Sequence, residues 1–136
     1  MTAKQYLSRA YGLRRRIAAK ELHLEELRTQ AEHITADLSG MPRGSGTDSP
    51  VERIAVQIAD LEWEIHLDWL DLLAYQEEIR NTIQSLPDPV MVQILSDRYL
   101  SYKRWQEIAD IMHYSLRHTT RIHGYALKAI DDLLCP

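Results

Sequence analysis

Arg117, His118, Thr120 and Arg121 stand within five consecutive residues, directly behind Ser115. A guanidinium can bond two acceptors on the edge of one guanine, and an imidazole or hydroxyl can bond a base edge or a phosphate oxygen. Grouped on the opening turns of one helix, such residues could read the major groove of DNA. Lys103, Arg104 and Lys128 lie to either side, as point or fork cations suited to phosphate. The Ser115 hydroxyl can accept a hydrogen bond from the free amides of a new helix and so begin it. Before it, Trp105, Ile108, Ala109 and Met112 repeat at i, i+3, i+4 and i+7, the spacing of a helix packed on one face. His113 and Tyr114 break the chain between the two. Helix, short turn and capped basic helix make the pattern of a helix-turn-helix.

Glu107-Ile108-Ala109, His113-Tyr114-Ser115, Arg117, Arg121 and the pair Ala126-Leu127 recur in an order that resembles region 4 of bacterial sigma factors. The longer string WQEIADIMHYSLRHTTRIHGYAL, behind a coiled N-terminal half, is similar to small phage and mobile-element proteins grouped loosely with ArpU-like late-transcription regulators. The resemblance implies binding to promoter DNA, with RNA polymerase as a further expected partner, because sigma region 4 contacts both. His113 stands where a glycine usually turns the chain, and Arg104 where a serine or threonine would cap the first helix. Thr119 replaces the expected core-facing valine, and Leu116 a residue that is often polar.

Composition bounds the rest. Few glycines, no phenylalanine and stretches rich in alanine, leucine and glutamate predict an all-α protein. No apolar run reaches the length of a membrane span and no signal-peptide core is present, so the expectation is a cytoplasmic chain with no membrane partner. The single cysteine, Cys135, can form neither an internal disulfide nor a cysteine zinc site. The net charge of −4 hides an asymmetry: residues 97–130 carry six basic against three acidic side chains, residues 1–96 ten against fifteen. Only the C-terminal part is electrostatically suited to double-stranded DNA.

The N-terminal part must position that unit. Tyr6, Ala10, Leu13, Ile17, Lys20, Leu24, Leu27, Ala31, Ile34 and Leu38 are spaced alternately four and three, a heptad seam interrupted once by a lysine. Thr2 with Gln5 is a capping box that starts the helix. Ser39 to Pro50, with its glycines and prolines, forms a loop. Ser49, Pro50 and Glu52 open a second helix, whose seam of Val51, Ile54, Ile58, Leu61, Ile65, Asp68, Leu72, Tyr75 and Ile79 is interrupted once by an aspartate. Two helices of about 35 residues, near 50 Å each at 1.5 Å per residue, should fold back as an antiparallel coiled-coil hairpin, the alternative being an intermolecular bundle of extended helices that the same seams permit. Lys4, Arg9, Arg14, Arg15, Arg16 and Lys20 then oppose Asp68, Asp71, Glu77 and Glu78. Lys20 and Asp68 fall in neighbouring layers in either permitted register, which predicts that they meet.

Trp63, Leu67, Leu70 and Ala74, at i, i+4, i+7 and i+11, add a second apolar stripe to the second helix. Either the C-terminal helices cover it or it is an oligomerisation face. Asp88 and Pro89 start a third helix, roughly Pro89 to Leu100. The predicted organisation is a hairpin over 1–87 with its loop at 39–50, then a three-helix helix-turn-helix domain over 88–136.

Catalytic chemistry finds little support. His113, His118 and His123, five residues apart, share no helical face for zinc. Glu62 and Glu64 are not a carboxylate pair, and Gly40 to Gly46 lacks the lysine of a phosphate loop. Trp63, Trp69 and Trp105 fit a core better than a cofactor site. The sequence predicts a non-enzyme, with no cofactor and no metal, that acts as a homodimer or higher homo-oligomer in DNA-binding transcription regulation. The alternatives are a polymerase-binding adaptor that does not read DNA and a packaging component of the small-terminase type.

Overall fold

The computed structural model describes residues 1–38 and 49–136, and all regular structure among them is helical. The helices are α1 (Ala3–Leu38), α2 (Pro50–Gln84), α3 (Pro89–Tyr99), α4 (Trp105–Met112) and α5 (Leu116–Leu134). Most of the expected 39–50 loop lies outside the described residues. No helix is long and apolar enough to cross a membrane among those described.

The helices begin where local chemistry dictates. The Thr2 amide donates to Gln5 Oε1 at 2.9 Å and the Gln5 amide to Thr2 Oγ1 at 3.2 Å, a reciprocal box at the head of α1. Ser49 Oγ accepts from the Glu52 amide at 3.2 Å, with Pro50 as the first residue of α2. Asp88 Oδ1 accepts from the Val90 amide at 2.9 Å, and Pro89 follows as the first residue of α3.

The chain divides into two compact units, Arg14–Asp71 and Met1–Leu13 with Leu72–Pro136. In Arg14–Asp71 the two seams bury Ile17, Leu24 and Leu27 of α1 and Leu61 and Ile65 of α2. Arg28 reaches Glu62 at 3.1 Å, and Lys20 reaches Asp68 at 2.8 Å. Rising numbers on α1 pair with falling numbers on α2, so the helices run antiparallel. The two charges that interrupt the seams meet, as their layers predict. The apolar packing thins along the seam, since Ala31, Ile34, Val51, Ile54 and Ile58 are only half-buried.

The second apolar stripe of α2 stays largely exposed among the described residues. Trp63, Leu67 and Leu70 are 62%, 44% and 52% exposed, and Ala74 is exposed as well. The expectation that tryptophans at helical spacing belong to the core fails for Trp63 and for Trp69, which is 42% exposed. A helix with two apolar stripes can bury only one against a single neighbour. Here the stripe carrying Leu61 and Ile65 is the buried one.

The other unit is built around the three short helices. Ile94, Leu95, Ile108, Ala109, Ala126 and Ile130 are fully buried. Leu7 and Ala10 of α1 and Ile79 and Ile83 of α2 are fully buried in the same unit. The predicted division at residue 87 therefore falls inside this unit. A three-helix domain of that size has little apolar surface to bury, and the ends of the long helices supply more. Polar contacts tie them in: the Ala3 amide donates to Asp131 Oδ1 at 2.7 Å, so a carboxylate from α5 sits at the positive end of α1. Arg9 pairs with Glu78 at 3.1 Å and lies over the rings of Tyr6 and Tyr75.

Candidate nucleic-acid interface

α4 ends because His113 takes a left-handed conformation, φ 57° and ψ 36°. Its place is the one glycine usually fills, and the geometry is the glycine geometry. The Tyr114 amide then donates to the Ala109 carbonyl at 3.0 Å and closes the end of the helix. Ser115 is extended, and its Oγ accepts from the His118 amide at 3.0 Å, which begins α5. Arg104, at the head of α4, supplies no side-chain cap, so this short helix starts without that bond.

α5 has two unlike faces. Thr119, Ala126 and Ile130 are fully buried and Ile122 is half-buried, the core face that the spacing predicts. Thr119 keeps its hydroxyl satisfied by donating to the Ser115 carbonyl at 2.9 Å, which lets it stand where valine was expected. On the opposite face Arg117, Arg121, Gly124 and Lys128 follow at i, i+4, i+7 and i+11, and all four are exposed. None of these three cations forms an ion pair among the described residues. A Cβ added at Gly124 would meet nothing within 4 Å, so the glycine opens the middle of this stripe without serving any packing inside the chain.

The other candidate residues differ in how free they are. His118 is exposed, its ring edge-on to Tyr114 at 4.7 Å between centroids. Thr120 is exposed, with its hydroxyl within 3.1 Å of the Leu116 carbonyl and 3.0 Å of that of Arg117. Ser115 Oγ is engaged in the cap. Arg104 is bonded to Glu107 at 2.9 Å but keeps 85% of its side chain exposed. Lys103 faces the buried Asp97 at 3.3 Å, a carboxylate that also accepts from Gln93 at 3.0 Å. Lys103 thus has a structural partner that sequence spacing did not reveal.

Behind the basic face, His123 Nε2 lies 2.7 Å from the Tyr99 hydroxyl, and its ring is edge-on to Trp105 at 4.4 Å. Burial, followed by the nearby charges of Lys4 and Arg98, pushes the His123 pKa down to about 4. Burial likewise raises Tyr99 above the ordinary phenol range. Both groups are neutral at pH 7, so this contact is a neutral hydrogen bond that holds α5 to α3. Comparison with family models, with curated proteins and with solved structures finds no match to this chain.

Proposed function

We propose that this chain is a non-catalytic, double-stranded-DNA-binding regulator of transcription, of the kind its sequence resembles, with α5 as the reading helix. The observation that carries the reading is the exposed stripe of Arg117, Arg121 and Lys128, none of them neutralised within the protein, on a capped helix set behind a short turn. Some exposed cations elsewhere, Arg28 and Arg80 among them, are paired with acids. A stripe left unpaired has its counter-charge to find outside, and a polyphosphate backbone supplies it. In this reading Arg117, His118, Thr120 and Arg121 lie toward base edges, while Arg104 and Lys128 meet phosphate. Lys103 contributes mainly through Asp97.

The exposed stripe of Trp63, Leu67 and Leu70 supports a protein partner as well, and the simplest is a second copy of the chain. Two reading helices would double the contacts and engage half-sites one helical turn apart.

The test is fluorescence anisotropy with a duplex of about two helical turns, of random and of promoter-derived sequence, over a salt titration. Arg117→Ala and Arg121→Ala should each weaken binding by about 1–3 kcal/mol and relax sequence preference. Lys128→Ala should weaken all sequences alike and flatten the salt slope. Arginine variants that bind as tightly as the parent would remove the DNA reading and leave a polymerase-binding adaptor.

A further inference from the structure

A crevice of about 270 Å³ opens where the head of α1 meets the α3–α4 connection and the middle of α5. Its walls combine two chemistries. Lys4, Arg98 and Arg104 supply three cationic side chains, and no carboxylate lines it. Tyr11, Tyr99, Tyr102, Trp105 and His123 supply aromatic surface.

The walls are held in place by specific contacts. Arg98 lies over the Trp105 ring, 4.7 Å from its centroid, and donates to the Lys103 carbonyl at 3.0 Å. Tyr102 has φ 56°, a left-handed backbone that a tyrosine adopts only at a cost. That conformation sets its ring 5.6 Å from Tyr11 and its hydroxyl 3.2 Å from Gln76 Nε2. The strained residue is therefore a wall of the crevice.

We propose that this crevice is a receptor site for a small planar aromatic anion, a molecule of one or two fused rings bearing a carboxylate or phosphate. The aromatic side chains of the lining take the flat ring, and its cations take the charge. The volume sits at the small end of ligand sites, which suits one or two rings and excludes a dinucleotide. A cationic ligand, which aromatic walls alone would welcome, is disfavoured by Lys4, Arg98 and Arg104, of which Arg104 alone pairs with an acid, Glu107, among the described residues. The local field is already felt inside the protein, where Lys4 and Arg98 disfavour the protonated form of His123. A bound anion would relieve that mutual repulsion. The site stands whether or not α5 meets DNA.

The experiment titrates the full chain with indole-3-carboxylate, phenyl phosphate and neutral indole, following the Trp105 indole and His123 ring resonances by NMR. Both anions are expected to give saturable shifts confined to the crevice, with indole at least ten-fold weaker. Lys4→Ala, an exposed change on the first turn of α1, is expected to cost at least five-fold in Kd for the anions. Ser8→Trp, which fills the space, is expected to abolish the shifts while circular dichroism stays unchanged. Absence of saturable shifts at millimolar anion would overturn the proposal. So would indole binding as tightly as the carboxylate, or unchanged affinity in both variants. Single-stranded DNA shifting the same resonances at lower concentration than either small anion would also overturn it, in favour of a nucleic-acid subsite.

Discussion

Asp68 accepts from Lys20 Nζ at 2.8 Å through one oxygen and from Arg16 Nη2 at 3.3 Å through the other. The carboxylate keeps 10% of its side-chain exposure and Lys20 keeps 25%. The Lys20 hydrogen bond, against the opposing effect of burial, holds Asp68 below its ordinary pKa, and the same bond raises Lys20. A lowered carboxylate stabilises the fold above its unfolded pKa and loses that contribution as pH falls through the folded value. A raised lysine loses its contribution only as pH climbs past 10.5. The pair is therefore at full strength from about pH 5 to pH 9. Lys20→Leu or Asp68→Leu alone should cost about 2 kcal/mol, because each takes the nearest partner from a partly buried charge, and the double variant should cost less than either. Arg16 still reaches Asp68 at 3.3 Å in Lys20→Leu, and Glu64 still reaches Lys20 at 3.5 Å in Asp68→Leu, so neither charge is left wholly without a partner and the two costs should be similar. A double-mutant cycle by urea unfolding checks both statements, and zero coupling energy would sink the pair as a register device.

His123 gives a separate pH dependence. Its pKa is about 4 in the fold against 6.5 for the free side chain, so the unfolded chain binds more protons between those values. Stability should fall as pH drops from 6.5 toward 4, by about 3 kcal/mol in total, with the loss from Asp68 joining only at the lower end of that range. The groups that face the ring are Tyr99, Trp105, Lys4 and Arg98. His123→Phe should flatten this upper limb of the acid profile and leave the lower one. Thermal melts in steps from pH 7 to pH 4 distinguish the two limbs, and a parent-like upper limb in the variant would remove the assignment.

His113 holds the left-handed turn between α4 and α5 without glycine's freedom. His113→Gly should stabilise the fold by about 1 kcal/mol, because the turn geometry is kept and the strain is released. DNA affinity should not change, since His113 precedes the reading face. A lower melting temperature would show that the imidazole contributes contacts that outweigh the strain.

The interactions legible in the sequence are those closed within one helical turn or repeated along a helix. Thr2 with Gln5, Ser49 with Glu52, Asp88 with Val90 and Ser115 with His118 are caps three residues apart or fewer, and their residue types announce them. The meeting of Lys20 and Asp68 was legible for a different reason, since two heptad seams in antiparallel order allow only a few registers. Four things were not. Asp131 capping α1 at Ala3 joins opposite ends of the chain, and no local pattern marks such a pair. The left-handed Tyr102 carries no glycine or asparagine signal. The exposure of Trp63 and Trp69 depends on which of two apolar stripes finds a neighbour, and periodicity is the same for both. The unpaired state of the α5 cations was also hidden, because pairing is decided by which acids the fold brings near.

The exposed stripe on α2 predicts self-association. Leu67→Glu places a charge at a position that is 44% exposed among the described residues, so the fold should survive it. Sedimentation equilibrium should show the parent as a dimer at micromolar concentration and the variant as a monomer. Asp60 lies beside the stripe, whereas Glu62 and Glu64 are paired with Arg28 and Lys20, so association should depend only weakly on salt. A parent chain that stays monomeric at high micromolar concentration would leave this face without a second copy.

Gly124 separates stability from binding. It sits inside α5, where glycine costs about 1 kcal/mol relative to alanine, and its exposed Cβ position is empty. Gly124→Ala should therefore raise the unfolding free energy by about that amount, with no steric penalty inside the protein. On the same face, between Arg121 and Lys128, the added methyl would stand between the helix backbone and a duplex drawn close to it. DNA affinity should then fall by about 1 kcal/mol, roughly five-fold in Kd, while stability rises. Lowered affinity from a damaged fold is excluded by the direction of the stability change, so opposite signs mark a surface that meets a partner. Equal affinity in a more stable variant would mean that the duplex does not approach α5 at Gly124, and the reading face would have to lie nearer Arg117 and the head of the helix.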